Sequence, residues 1–154
     1  MLDDLRELYQ EVILDHGKNP RNFGGLAGAN RIARGNNPLC GDKLVVFLKV
    51  DDAGVIREAA LEGKGCAIST ASASLMTEML KGKTAKDAER LFEAFHRLCT
   101  EDAPVAADPD LADDLERLQV LSGVRQFPVR VKCATLAWHA MHAAMTGGRE
   151  ATTE

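Results

Sequence analysis

Four residues carry the chemistry open to this chain: Cys40 and Asp42 in the stretch Pro38-Leu39-Cys40-Gly41-Asp42, and, further on, Cys66 and Cys133. Three thiolates and one carboxylate are the donors of a closed tetrahedral zinc site, with soft sulfurs at ~2.3 Å and an oxygen at ~2.0 to 2.2 Å. The same thiols, as thiolates, are nucleophiles. No two cysteines stand in a C-x-x-C spacing, so spacing alone leaves a metal site and a reactive-thiol site both open. Taken singly, each cysteine would more often be a small buried hydrophobe.

The segments between these residues bring them together. Leu44 to Val50 is a short β-branched apolar run, Asp51-Asp52-Ala53-Gly54 has turn chemistry, and Val55 to Glu62 alternates partly between apolar and charged positions. The pattern predicts a hairpin, and antiparallel strands return the chain to where it began. Cys40, before the first strand, and Cys66, after the second, then share one end of the sheet. Cys66 follows Gly63-Lys64-Gly65 and opens a helix over Ala67 to Leu80; Cys133 follows Pro128-Val129-Arg130-Val131-Lys132 and opens a second over Ala134 to Met145. Unpaired N–H groups and the helix dipole favour a thiolate at such starts. The loop of Cys40 is the mobile member of the set, because the approach from Asn19 through Gly24-Gly25 to Asn36-Asn37-Pro38 is rich in glycine and asparagine.

A length of 154 residues suits one domain, expected over 1–148, with 149–154 as a disordered tail. The N-terminal residues are charged, and no apolar stretch behind them is long enough for a signal peptide or membrane span, so a cytoplasmic location is expected. That compartment keeps thiols reduced, which favours metal-ligating or reactive cysteines over disulfides. A net charge of −4 and the lack of a basic stripe with interleaved aromatics argue against nucleic acid as a partner.

The remaining elements read as scaffold. Leu2, Leu5, Leu8, Tyr9, Val12 and Ile13 mark an amphipathic first helix ended by Gly17 and Pro20; it packs on the domain or doubles as a partner surface. Thr84-Ala85-Lys86-Asp87 caps a helix with Ala88, Leu91, Phe92, Phe95, Leu98 and Cys99 on one face, which makes Cys99 a core residue and His96 a surface one. Thr100 to Pro109 reads as an acidic loop before a short helix over Asp110 to Leu121, and Gly123 to Pro128 as a break. His139 and His142 stand one turn apart on the last helix and are open to metal ligation, yet they lie further along than Cys133, where a flank histidine needs no special role.

The stretches L-Y-Q-E-V-I-L-D-H-G-K-N-P-R-N-F-G, N-P-L-C-G-D, G-K-G-C-A-I-S-T-A-S-A-S-L and P-V-R-V-K-C-A-T-L-A-W resemble the scaffold family that includes IscU and the NifU N-terminal domain, most of all its SufU branch. The resemblance spans nearly the whole chain. It implies an α+β fold, with a small antiparallel sheet of about three strands packed on one face by several helices, the third strand lying within Gly25 to Gly35. It also implies that Cys40, Asp42, Cys66 and Cys133 hold Zn²⁺ or, alternatively, a transient iron–sulfur cluster. Lys132 stands where IscU-type scaffolds carry a histidine, and their leucine-proline-proline-valine-lysine chaperone motif is missing, as in SufU. The implied role is that of a sulfurtransferase. Cys40 would accept persulfide sulfur from a SufS-like cysteine desulfurase, and sulfur would pass to downstream cluster-assembly proteins. A cluster scaffold and a structural-zinc module are the competing readings.

Such a zinc site carries a formal charge of roughly −2, which Arg130 and Lys132 are placed to offset. A zinc-bound thiolate is masked, so one ligand must leave before it attacks a persulfide. Cys40, on the loop, is the ligand free to do so, with a partner residue taking its place.

Overall fold

The computed structural model describes residues 2–101 and 109–152. An N-terminal helix α1 (Leu2–Lys18) precedes three antiparallel strands, β1 (Arg31–Asn37), β2 (Asp42–Val50) and β3 (Ile56–Lys64). Helices α2 (Ala67–Leu80) and α3 (Ala85–Thr100) follow. After a short 3-10 turn come α4 (Ala112–Leu118), a 3-10 segment (Gln119–Gln126) and the long α5 (Pro128–Met145); a last strand β4 (Glu150–Thr152) closes the chain. The α+β expectation holds, with a four-stranded mixed sheet in the order β3-β2-β1-β4 in place of three antiparallel strands.

The tail expected to be disordered contributes the extra strand. Gly147, at φ +88°, and Gly148, whose N–H donates to Ala143 O at 2.6 Å, terminate α5 in a Schellman turn and send the chain back along β1. Arg34 then faces Glu150 in parallel register. The acidic loop predicted between Thr100 and Pro109 lies, for 102–108, outside the described residues.

Alternation along the strands gives the sheet one covered face. Ala33 and Gly35 of β1, Leu44, Val46 and Leu48 of β2 and Leu61 of β3 are buried there against α2 and α5. At Gly35 α5 packs closely on β1: a Cβ would meet Leu136 at 3.1 Å. Buried Trp138 and Phe95, with ring centroids 4.9 Å apart, join α5 to α3. Trp138 Nε1 donates to Ser72 Oγ at 3.0 Å, and Ser72 in turn donates to Ala134 O, so the two helices that carry Cys66 and Cys133 are tied by polar bonds inside an apolar core. The methionines Met76, Met79 and Met141 are core. Among the described residues no helix is long and apolar enough to cross a membrane.

Candidate metal centre

Cys40 sits at the tip of a tight hairpin. Strand β1 runs on through Asn36 and Asn37, which pair with Lys43 and Asp42, so only Pro38 to Gly41 remain as loop where a longer mobile approach was expected. Gly41, at φ +72°, closes the turn. Cys40 is exposed at that tip, while Asp42, the first residue of β2, is fully buried.

Two donors hold the Asp42 carboxylate. Its Oδ1 accepts from the Cys66 backbone N–H at 2.8 Å, and its Oδ2 accepts from Asn37 Nδ2 at 3.3 Å. The end of β3 at Gly63 and Lys64, and Gly65 after it, make the first contact possible. Gly63, at φ +119°, lies where a Cβ would strike Lys43 O, and at Gly65 a Cβ would come within 3.0 Å of Asp42 Oδ1. Cys66 is the N-cap of α2, as the sequence indicated: its Sγ accepts from the Ser69 N–H at 3.4 Å.

Cys133 is placed differently from the expectation. Helix α5 begins at Pro128, whose missing N–H costs nothing in the first turn, so Cys133 lies in the second turn and its thiol donates to Val129 O at 3.6 Å. It is no helix-start thiol. Burial first, and then the nearby Cys40 and Cys66, push its pKa up, the opposite of the lowering that a helix start would give.

One donor atom each from Cys40, Asp42 and Cys133 lies within 4.8 Å of the others. The sulfurs of Cys40 and Cys133 are 3.2 Å apart. On a tetrahedral zinc two thiolates stand roughly 3.8 Å apart, so this pair needs to spread by about half an ångström. The donor set therefore fits zinc. Cys66 faces Cys133 but lies outside the group of three, its sulfur engaged with its own helix start. Two buried oxygens nearby, Asn37 Oδ1 and Ser69 Oγ, have no hydrogen-bond partner.

The sulfurs open into a cleft of about 640 Å³ between the start of α2 and the start of α5, lined among others by Ile68, Phe127, Val129 and Arg130. Phe127 and Val129 of its lining, and Leu39 next to Cys40 in the chain, expose half or more of their surface. Arg130 stacks on Phe127, its guanidinium carbon 5.1 Å from the ring centroid, and so keeps a cation at the cleft wall. Lys132 is half-buried beside Cys133 in sequence and is not among the residues lining the cleft. His139 and His142 stand apart from the cup, as expected: His139 packs on Phe92, and His142 bonds Glu89. Cys99 is buried in the core, and burial pushes its thiol up to about 12.

Two features escaped sequence reasoning. Asn37, fully buried, also donates to Cys133 Sγ at 3.6 Å and so links two donors of the cup; only its pairing with Asp42 across the hairpin could have signalled it. The exposed apolar rim was hidden because Phe127 and Leu39 lie in segments with no periodicity.

The family model for the NifU-like N-terminal domain matches residues 8–134 of this sequence. The chain belongs to the NifU-like N-terminal domain family. Within this family it is 41% identical over 138 residues to the zinc-dependent sulfurtransferase SufU of Bacillus subtilis, covering 90% of this chain and 89% of that one. It is 38% identical over 144 residues to the iron–sulfur cluster assembly scaffold protein IscU of Streptococcus pyogenes, covering 94% and 86%. The N-terminal part of a NifU-like protein from Brucella abortus shares the fold at a TM-score of 0.79 and 28% identity, covering 95% of both chains.

Proposed function

We propose that this chain is an iron–sulfur cluster assembly protein of the SufU type, which accepts persulfide sulfur on Cys40 from a cysteine desulfurase. One observation carries the reading: of the four donor residues, Cys40 is the exposed one, Cys66 being half-buried and Cys133 and Asp42 buried. Zinc held by Cys40, Asp42, Cys66 and Cys133 would keep the thiols deprotonated. The chain's own residues do the rest. The Cys40 thiolate attacks the outer sulfur of the partner's persulfide; a new sulfur–sulfur bond forms at Cys40, the bond within the partner's persulfide breaks, and the partner's cysteine leaves as a thiolate. No net oxidation occurs.

Asp42 and Asn37 hold the base of the cup while the hairpin tip moves. The apolar rim of Leu39, Phe127 and Val129 suits a protein partner that must exclude water from a reactive sulfur. Arg130, on the cleft wall, supplies positive charge against the anionic site, and Lys132, next to Cys133 in the chain, adds to it from outside the cleft lining. Similarity to the SufU of Bacillus subtilis supports transfer, and similarity to the IscU of Streptococcus pyogenes supports the second reading, a scaffold that builds a cluster on the same residues.

Mass spectrometry after a brief reaction with a SufS-type desulfurase and cysteine separates the two. Transfer predicts one added sulfur on Cys40, lost in Cys40→Ala, and faster desulfurase turnover. No sulfur on Cys40, together with a stable cluster formed from iron, sulfide and reductant, would replace the transfer reading with the scaffold reading.

A further inference from the structure

Helices α3 and α5 face each other through a second constellation that the cysteine chemistry does not use. On α3, Glu89, Phe92 and His96 recur at i, i+3 and i+7; on α5, His139 and His142 stand at i and i+3. The buried ring of Phe92 is shared by three imidazoles, with centroids 5.0 Å from His139, 5.8 Å from His142 and 6.4 Å from His96. His96 and His139 lie 6.2 Å apart across the helix pair. His142 Nδ1 and Glu89 Oε2 are bonded at 2.5 Å. His96 is exposed, and His139 and His142 are half-buried, so the patch meets solvent.

We propose that His96, His139 and His142 form a second metal site, for a divalent first-row transition ion, with Glu89 orienting His142. Two imidazoles on a tetrahedral ion, with metal–nitrogen bonds of about 2.0 to 2.1 Å, have ring centroids about 5 Å apart. The His96–His139 pair exceeds that by roughly 1 Å, which rotation of the exposed His96 side chain covers. A carboxylate bonded to one ring nitrogen is the outer partner that fixes a ligating imidazole and raises its basicity. With imidazole donors and no sulfur, the site suits zinc, cobalt, nickel or copper rather than calcium or magnesium. Its donors are not drawn together in advance: among the described residues, Cys40, Asp42 and Cys133 are the set whose atoms lie within 4.8 Å. The site is therefore weaker than the cysteine cup. At 1.5 Å per residue, His139 lies about 9 Å along α5 from Cys133, so the two sites bind independently.

Cobalt(II) is the probe, because thiolate ligation gives a near-ultraviolet charge-transfer band that imidazole ligation lacks. Protein preloaded with one equivalent of zinc should take up one further cobalt ion per chain, with visible d–d absorption, no thiolate band, and broadened His96, His139 and His142 ring signals in NMR spectra. His96→Ala, a substitution at an exposed position, should weaken this uptake at least tenfold; His139→Ala should abolish it; Glu89→Gln should weaken it several-fold. The proposal is overturned if zinc-loaded wild type takes up no cobalt, if His96→Ala binds it as tightly as wild type, or if the cobalt taken up shows a thiolate charge-transfer band. None of these outcomes depends on where persulfide sulfur lands.

Discussion

Replacing Asn37 with aspartate retains the shape of a fully buried side chain and changes only its charge and donor capacity. In the native site Nδ2 donates to Asp42 Oδ2 at 3.3 Å and to Cys133 Sγ at 3.6 Å. Hydrogen bonds to charged acceptors contribute about 1.5 to 3 kcal/mol, and two contacts this long belong at the lower end, giving roughly 2 to 3 kcal/mol for the pair. In Asn37→Asp a carboxylate would face both acceptors, so repulsion adds to the lost bonds. At about 1.4 kcal/mol per tenfold, zinc affinity should fall about 100-fold or slightly more. Asn37→Ala loses the same two bonds without adding charge, and the lost Oδ1 has no partner to forfeit, so its effect should be about 30-fold, smaller than that of Asn37→Asp. Competition against a chromophoric zinc chelator measures both, with far-ultraviolet circular dichroism as the fold control. The expected order of affinity is wild type, Asn37→Ala, Asn37→Asp. Folded variants that hold zinc as tightly as wild type would refute the role given to Asn37, and tighter binding by Asn37→Asp than by Asn37→Ala would show that this position accepts a ligand.

Cys99 should resist iodoacetamide at pH 8 in the folded, metal-free protein while exposed Cys40 reacts, because burial holds the Cys99 thiol protonated. Cys99→Ser should cost roughly 1 to 3 kcal/mol of stability and leave metal content and sulfur acceptance intact; alkylation of Cys99 at a rate like that of Cys40 would contradict its burial. His16, buried on α1 and bonded through Nδ1 to Ser74 Oγ at 2.7 Å, is held below the usual histidine range by burial first and by Arg21 and Arg117, against the opposing pull of Glu78 and Asp15. The unfolded chain then takes up a proton, near pH ~6.5, that the native state refuses. Stability should be complete above that pH and decline as pH falls through it towards the lower native value. Melting curves from pH 7 to 5 should fall more steeply for wild type than for His16→Asn; parallel curves would remove His16 as the cause.

Local signals were enough for much of this protein. The turn at Asp51 to Gly54 is written in its residues: Asp51 Oδ1 accepts from the N–H groups of Ala53 and Val55, and Gly54 takes φ +81°. Helix α2 runs over the residues the sequence assigned to it, with Cys66 as its cap, and Thr84 Oγ caps α3 by accepting from the Asp87 N–H. Each of these depends on neighbours a few positions away. Cys133 was misplaced because Gly123 to Pro128 reads as a break, yet Pro128 is as favourable at a helix start, and packing of α5 on the sheet decided between them. Asn36 and Asn37 are poor strand formers, held in β1 by pairing with β2. Strand β4 exists only because the edge of β1, more than a hundred residues earlier, offers it hydrogen bonds. The histidine patch follows the same rule. The sequence determined that His139 and His142 share a helix face, but only the packing of α3 against α5 brought His96 and Glu89 to them, because a contact between distant segments leaves no periodic trace in either one.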